Sequence, residues 1–225
     1  MTSTGHKISR VIRTKEEAKR TYDRVSRWYD PFEGIWERRS IKTGLEKLSI
    51  KKGETVLEIG FGTGHGMLYM AESVGETGKV YGIDISPEML NITQARLNKR
   101  GLSDRVALIC GDAVKLPFGA DFFDAVFMSF VLELFDTPEI PKILSECKRV
   151  LKKGGRICVV SISKLGNFNP IRNLYEWGHE KFPRVLDCRP IYVQKALEEA
   201  KFEMDLATQG SLLGLPVEIV LAEKH

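Results

Sequence analysis

The sequence predicts an α/β fold: a doubly wound, seven-stranded sheet, mostly parallel, with helices on both faces and an antiparallel hairpin at the C-terminus. Three observations predict it. From Thr55 onward, short runs rich in Val, Ile and Leu alternate with longer stretches of helical period, the pattern of parallel strands joined by crossover helices. Glycines and helix-capping residues punctuate the joints. The last two apolar runs follow each other with only a short link, which suits a hairpin.

The elements follow in order. Ala18, Tyr22, Val25 and Tyr29 recur at spacings of three and four and give one apolar helical stripe. Pro31 interrupts it, and a second helix is predicted over 35–48. Thr55-Val-Leu-Glu-Ile59 is the first strand, followed by a glycine loop and a helix to about Val74. Lys79 to Asp84 is the second strand. Ser86-Pro87-Glu88 then starts a helix, with Ser as N-cap, Pro at the first helical position and an acid in the first turn. That helix runs to about Arg100. Strands follow at Val106 to Cys110 and Asp124 to Phe130. Thr137-Pro138-Glu139 repeats the cap grammar for a helix ending near Lys152. Gly154 and Gly155 stop it, and Arg156 to Ile162 is the fifth strand. Residues 164–189 break the alternation, with two prolines and the aromatics Phe168, Tyr175, Trp177 and Phe182. Ile191 to Ala200 is the last helix. Phe202 to Thr208 and Val217 to Ala222 close the sheet, linked through Gly210 and Gly214-Leu-Pro216.

Composition bounds the class. In 225 residues, 43% are apolar and 28% charged, enough for a substantial core without metal or disulfide staples. The formal charge of +4 is mild. The densest basic stretch, Lys7 to Arg39, also holds Glu16, Glu17, Asp23 and Asp30. It reads as a solvated helical face first, and as an attractor for an anionic membrane or acidic substrate second. No nucleic-acid partner is expected. Cys110, Cys147, Cys158 and Cys188 form no CxxC pair, and Cys110 and Cys158, inside apolar runs, are expected to be buried thiols. With no apolar leader at Met1 to Arg10, the expected home is a reducing cytoplasm. No His/Cys/Asp spacing suggests a metal site.

The strongest chemical signal is Glu58-Ile-Gly60-Phe-Gly62-Thr-Gly64, directly after the first strand. Glycines there let the backbone turn sharply and approach a ligand, and the next helix points its N-terminus at it. The dinucleotide fingerprint GxGxxG fails in both registers, because His65 or Met67 stands where the third glycine belongs. The P-loop fails too, since no Gly-Lys-Ser/Thr follows. Asp84, at the end of the second strand, can accept both hydroxyls of a ribose. Ser86 supplies the helix cap, which leaves Asp84 for that role. Gly111-Asp112-Ala113 follows the third strand. Its carboxylate can read an exocyclic amine such as adenine's, or simply hold a turn.

These motifs resemble the class I S-adenosylmethionine-dependent methyltransferases, most closely their ubiquinone/menaquinone-biosynthesis-like small-molecule branch, a Rossmann-like fold. The matching stretch runs from about Tyr22 to Ser161. It includes Tyr22-Asp23, Tyr29-Asp30, Glu58 to Gly64, Gly82-Ile-Asp84-Ile-Ser-Pro-Glu-Met89 and Gly111-Asp112-Ala113. Leu116-Pro117-Phe118, Phe123-Asp124 and Arg149-Val-Leu-Lys-Lys-Gly-Gly155 extend it. The C-terminal strand, Gly214 to Lys224, lacks the Gly- and His-containing pattern of the quinone enzymes, which speaks against a quinone acceptor. The resemblance implies a single methyltransferase domain over 1–225. Within it, 1–50 is an N-terminal helical cap, 51–163 the cofactor-binding core, 164–189 a lid or insertion, and 190–225 the C-terminal helix and hairpin.

It also implies roles. Gly60, Gly62 and Gly64 pass under the methionine part of S-adenosylmethionine, and Glu58 faces its ammonium. Asp84 holds the ribose, Ile85 and Met89 line the adenine, and Asp112 and Ala113 read its edge. Ser129 sits near the sulfonium. Tyr22 and Tyr29 either cap the cofactor or pack the amphipathic stripe. A sulfonium is an activated leaving group, so the protein's task is alignment and exclusion of water. If a base is needed, His179 and Glu133 are the candidates, although each reads first as a structural or surface group. The implied acceptor is small or lipid-like, with peripheral membrane contact conceivable. Three other readings stand beside this one. They are a phospholipid-headgroup N-methyltransferase, a non-catalytic cofactor-binding module, and an NAD-dependent dehydrogenase, which His65 and Met67 disfavour. Nucleic-acid methylation lacks its Asn-Pro-Pro-Tyr-like tetrapeptide, since Ser129-Phe-Val-Leu stands there.

Overall fold

The computed structural model describes residues 8, 10–11, 14, 16–17, 19–20, 35–165, 169–181 and 188–225. Tyr22, Tyr29, Phe168 and Phe182 lie outside them. The elements are α1 (Ile35–Leu48), β1 (Thr55–Ile59), α2 (His65–Ser73), β2 (Lys79–Asp84), α3 (Pro87–Arg100), β3 (Val106–Cys110) and β4 (Phe123–Ser129). They continue with α4 (Ile140–Val150), β5 (Leu151–Ile162), α5 (Pro170–Lys181), α6 (Val193–Glu199), β6 (Glu203–Leu212) and β7 (Leu215–Glu223). The seven strands form one sheet in the order β3-β2-β1-β4-β5-β7-β6. The first five run parallel, and β7 pairs antiparallel with both β5 and β6. Among the described residues no helix is long and apolar enough to cross a membrane.

Strand alternation builds two cores from one sheet. Leu57, Val126, Ile157 and Val159 face Ile143, Leu144 and Cys147 of α4 and Val193 and Leu197 of α6. The intervening Val56, Phe127, Cys158 and Val160 face Leu45 of α1, Met67 and Met70 of α2 and Leu97 of α3. Strands buried on both faces need continuous apolar runs, which is what made them readable. The order reverses between β1 and β4, and such a switch opens a crevice at the carboxyl ends of the strands.

Local details differ from expectation, each for a physical reason. Strand and helix do not alternate throughout, because β3 and β4 are joined by a loop. Glu146 and Arg149 of α4 take a helix's place there: Arg149 donates to the carbonyls of Phe118 and Leu116, and Glu146 accepts from Leu116 N. Tyr81, Phe118, Phe122 and Phe123 cluster over the loop, edge to face apart from the stacked Phe118–Phe122 pair. Thr137 is not a helix cap. α4 starts at Ile140, and Asp136 instead accepts from Thr137 N while its carbonyl accepts from Glu139 N. The hairpin turns on Leu213-Gly214, both at positive φ, rather than at Gly210 or Pro216, which lie within strands. Cys110 is exposed at the end of edge strand β3, whereas Cys147 and Cys158 are buried. Burial holds both of those thiols up at about 12. The N-cap of α3 is as predicted, with Ser86 Oγ accepting from Met89 N at 3.2 Å.

Candidate active site

A cleft enclosing about 1270 Å³ of empty space, counting solvent at its mouth, lies over the β1–β4 switch. The loops after four parallel strands form its floor: Gly60 to Gly62 after β1, Asp84 and Ile85 after β2, Gly111 to Ala113 after β3, and Ser129 to Val131 after β4.

The glycine loop is fixed from three sides. Gly60 N donates to Ile83 O at 2.8 Å. Gly62 N donates to Asp84 Oδ2 at 2.9 Å, and Thr93 Oγ1 of α3 donates to Gly62 O at 2.9 Å. Gly60 has φ 70°, and a Cβ there would lie 2.4 Å from Val131 Cγ2, so only glycine fits between the β1 and β4 loops. Asp84 is half-buried. Its second oxygen accepts from Ser86 N at 2.9 Å, which holds the carboxylate as a charged acceptor at the lip of the cleft.

Glu58 is 2% exposed and projects into the cleft beside α2. A methyl group at Gly66 would come within 2.3 Å of its Oε1, so the first turn of α2 lacks a side chain where Glu58 must sit. Asp112 accepts from Val114 N at 3.0 Å, the turn reading of the sequence, and is also exposed on the cleft wall. Ile85, Met89 and Ala113 add an apolar surface between the two aspartates. His65 opens α2 on the cleft. Arg96 lies 2.8 Å from its Nε2, and because a guanidinium only donates, that nitrogen accepts.

Of the residues singled out by sequence, Glu58, Gly60, Gly62, Asp84, Ile85, Met89, Asp112, Ala113 and Ser129 line this one cleft. Gly64 does not. It is the left-handed N-cap of α2, and a Cβ there would meet Thr93 at 2.5 Å, so it packs α2 closely against α3. Tyr22 and Tyr29 lie outside the described residues. His179 and Glu133 are buried, and neither lines the cleft. Nor does any described residue of the 164–189 insertion.

Sequence reasoning missed the far wall, formed by Phe130, Val131, Leu134 and Phe135 with Ile41 of α1 and Val11. The run of apolar residues after Ser129 was its only signal. It also missed a strap. Asp136 receives Arg10 Nε at 2.8 Å, Arg10 Nη2 at 2.6 Å and Val11 N at 3.1 Å, which sets Val11 and Thr14 along the cleft. Arg10 holds the Asp136 carboxyl down at about 2.

The cleft brings together the groups a zwitterionic nucleoside calls for: the acids Glu58 and Asp84, an apolar surface from Ile85, Met89 and Ala113, and bare backbone at Gly60 and Gly62. A methyltransferase-domain family model matches residues 56–155. A demethylmenaquinone methyltransferase of Geobacillus kaustophilus is 33% identical over 165 residues, covering 72% of this chain and 69% of that protein. A SAM-dependent methyltransferase from Aquifex aeolicus, 28% identical, superposes with TM-score 0.61 over 81% of this chain and 88% of its own. The [4+2]-cyclase SpnF, 20% identical, superposes with TM-score 0.76 over 94% and 97%. That last likeness speaks for the fold alone, because one fold carries many chemistries. Sequence and structure converge on one cofactor, S-adenosylmethionine, and on catalysis rather than mere binding. The chain belongs to the class I S-adenosylmethionine-dependent methyltransferases, in their menaquinone- and ubiquinone-biosynthesis-like branch.

Proposed function

We propose that this enzyme methylates a lipid-like aromatic acceptor of the quinone class. The observation that carries this reading is the wall beyond Ser129. Phe130, Val131, Leu134, Phe135, Ile41 and Val11 offer a flat ring an apolar slot next to the loop after β4. The Geobacillus relative, named for a demethylmenaquinone, supports the same class. Cys110, Cys147 and Cys158, held as thiols, support a reducing compartment such as the cytoplasm.

In this reading Asp84 accepts the ribose hydroxyls and Asp112 and Ala113 read the adenine edge. Ile85 and Met89 pack against the base. Gly60 and Gly62 pass under the methionine chain, and Glu58 meets its ammonium. The cofactor supplies a methyl group already activated on sulfur. The chain's own work is to align the acceptor from Ser129 outward and to keep water away with the Phe130–Phe135 wall. His179 and Glu133, buried outside the cleft, act as structural groups.

Labelled methyl transfer tests the acceptor. A reduced, short-chain demethylnaphthoquinol should take the label, and phosphatidylethanolamine should not. Label in the ethanolamine lipid alone would replace the quinone reading with headgroup N-methylation. The Glu58 assignment has its own test. Gly66→Ala should push Glu58 aside and weaken S-adenosylmethionine binding by about tenfold or more in titration calorimetry. Unchanged affinity would remove Glu58 from the cofactor's contacts.

A further inference from the structure

We propose that the cleft edge of the enzyme docks on an anionic lipid bilayer through α5 and the β6–β7 turn. The inference rests on the lipid-like acceptor proposed above. Ile171, Leu174 and Trp177 recur every third residue along α5 and are 49, 67 and 54% exposed. They form one face, because Gly178 and His179 are buried on the other, where α5 packs against β7. Leu213, at the tip of the hairpin, is 72% exposed. The two pieces are joined. Asn169 Nδ2 donates to Gly214 O at 3.0 Å, and Ile171 fills the space where a Cβ on Gly214 would lie. Four of the large apolar side chains that the protein leaves in water therefore make one continuous patch, which marks an interaction surface.

Topology sets that patch beside the cleft. β7 begins where β5 ends, with Ile162 opposite Val217 and Ser163 N donating to Pro216 O at 2.7 Å. The hairpin tip thus lies at the carboxyl edge of the parallel strands, the same edge on which the cleft opens. At one strand spacing per step it is about 10–15 Å along from the switch point. Charge fits a bilayer surface as well. Arg38 and Arg39 are exposed in the first turns of α1, next to the cleft-lining Glu37, and exposed Lys181 ends α5. Glu176 of α5 is paired, its carboxylate 3.4 Å from Lys164 Nζ. A tryptophan among aliphatic residues with flanking cations is the composition of an interfacial anchor. Docked this way, the protein would receive a membrane-dissolved acceptor without passing it through water.

Co-sedimentation of the full chain with vesicles tests this, without cofactor or acceptor. The parent should bind vesicles of mixed phosphatidylglycerol and phosphatidylcholine and bind pure phosphatidylcholine less. Leu174→Glu with Leu213→Asp should lower that binding at least about tenfold, because two carboxylates would have to enter the interface. Leu206→Glu, an exposed leucine of β6 away from the turn, should not. Trp177 emission should shift to the blue with vesicles, and Trp177→Phe should abolish that part of the change. Equal binding by parent and double variant would overturn the proposal. So would a vesicle-free dimer that the double variant dissociates, which would give the patch to a second copy. Transfer to the water-soluble naphthoquinol keeps the two proposals apart. The double variant should retain it, while a parent that fails with every quinol loses the proposed function and not the membrane contact.

Discussion

Asp84→Ala is expected to weaken S-adenosylmethionine binding by about 2–4 kcal/mol, roughly 30- to 1000-fold, while the protein stays folded. Two effects add. A carboxylate at the lip of the cleft can accept two charge-assisted bonds from a ribose, and alanine accepts none. Asp84 also takes the N–H groups of Gly62 and Ser86, so its removal loosens the glycine loop from β2. The fold itself should survive, because the loop keeps Gly60 N on Ile83 O and Thr93 on Gly62 O. A ligand lacking the ribose 2′-hydroxyl separates the two effects. Parent protein should lose affinity for the deoxy ligand, and Asp84→Ala should lose nothing further. If Asp84→Ala binds the cofactor like the parent, the ribose assignment falls. If both proteins lose equally with the deoxy ligand, Asp84 only shapes the loop.

The same residue shows what sequence can carry. Asp84, the glycines and the seven strands were legible because each obeys a local rule: an acid ending a strand, glycine where φ is positive, an apolar run where both faces are covered. Pro87 and Ser86 announced α3 for the same reason. What escaped was decided by distant partners. The β3–β4 connection holds as a loop because Glu146 and Arg149, some 30 residues later, bind its backbone. Arg10 reaches Asp136 across 126 residues, and neither reads as part of a site on its own. Cys110 sits in an apolar run yet is exposed, because β3 is an edge strand and strand order is not a local property. Gly64 resembles its neighbours in the loop. Only the position of Thr93 on α3 shows that it also brings two helices close together.

Glu133 is the other place where a distant environment sets a residue's behaviour, and it carries the second large effect. Glu133→Gln should leave stability nearly unchanged at pH 5 and raise it over the parent at pH 8. The carboxyl is fully buried in the 3₁₀ turn after β4. One of its oxygens, Oε1, accepts from Ile162 N at 3.2 Å. Burial pushes it up to about 7, and the nearby Glu37 adds to the rise. The Ile162 N–H and the Ser161 hydroxyl oppose it. Buried Arg189, itself held down at about 10 by burial, lies within electrostatic reach of both Glu133 and Asp136. The sign follows from linkage. Below pH 4.5 the carboxyl is protonated in both folded and unfolded chains. From there to about pH 7 the unfolded chain releases its proton while the folded one keeps it, so stability falls across that window and then levels off. A rise from 4.5 to about 7 corresponds to about 3 kcal/mol. Glutamine resembles the protonated form and cannot ionise, so it escapes the loss. Since about 1 kcal/mol moves the melting temperature of a domain this size by ~2–4 °C, the gap between variant and parent should widen by about 5–10 °C from pH 5 to pH 8. Methyl transfer by the variant should persist if Glu133 is structural. A gap that stays constant with pH would mean that Glu133 is ionised in the folded protein, and a loss of transfer without loss of stability would return it to the list of bases.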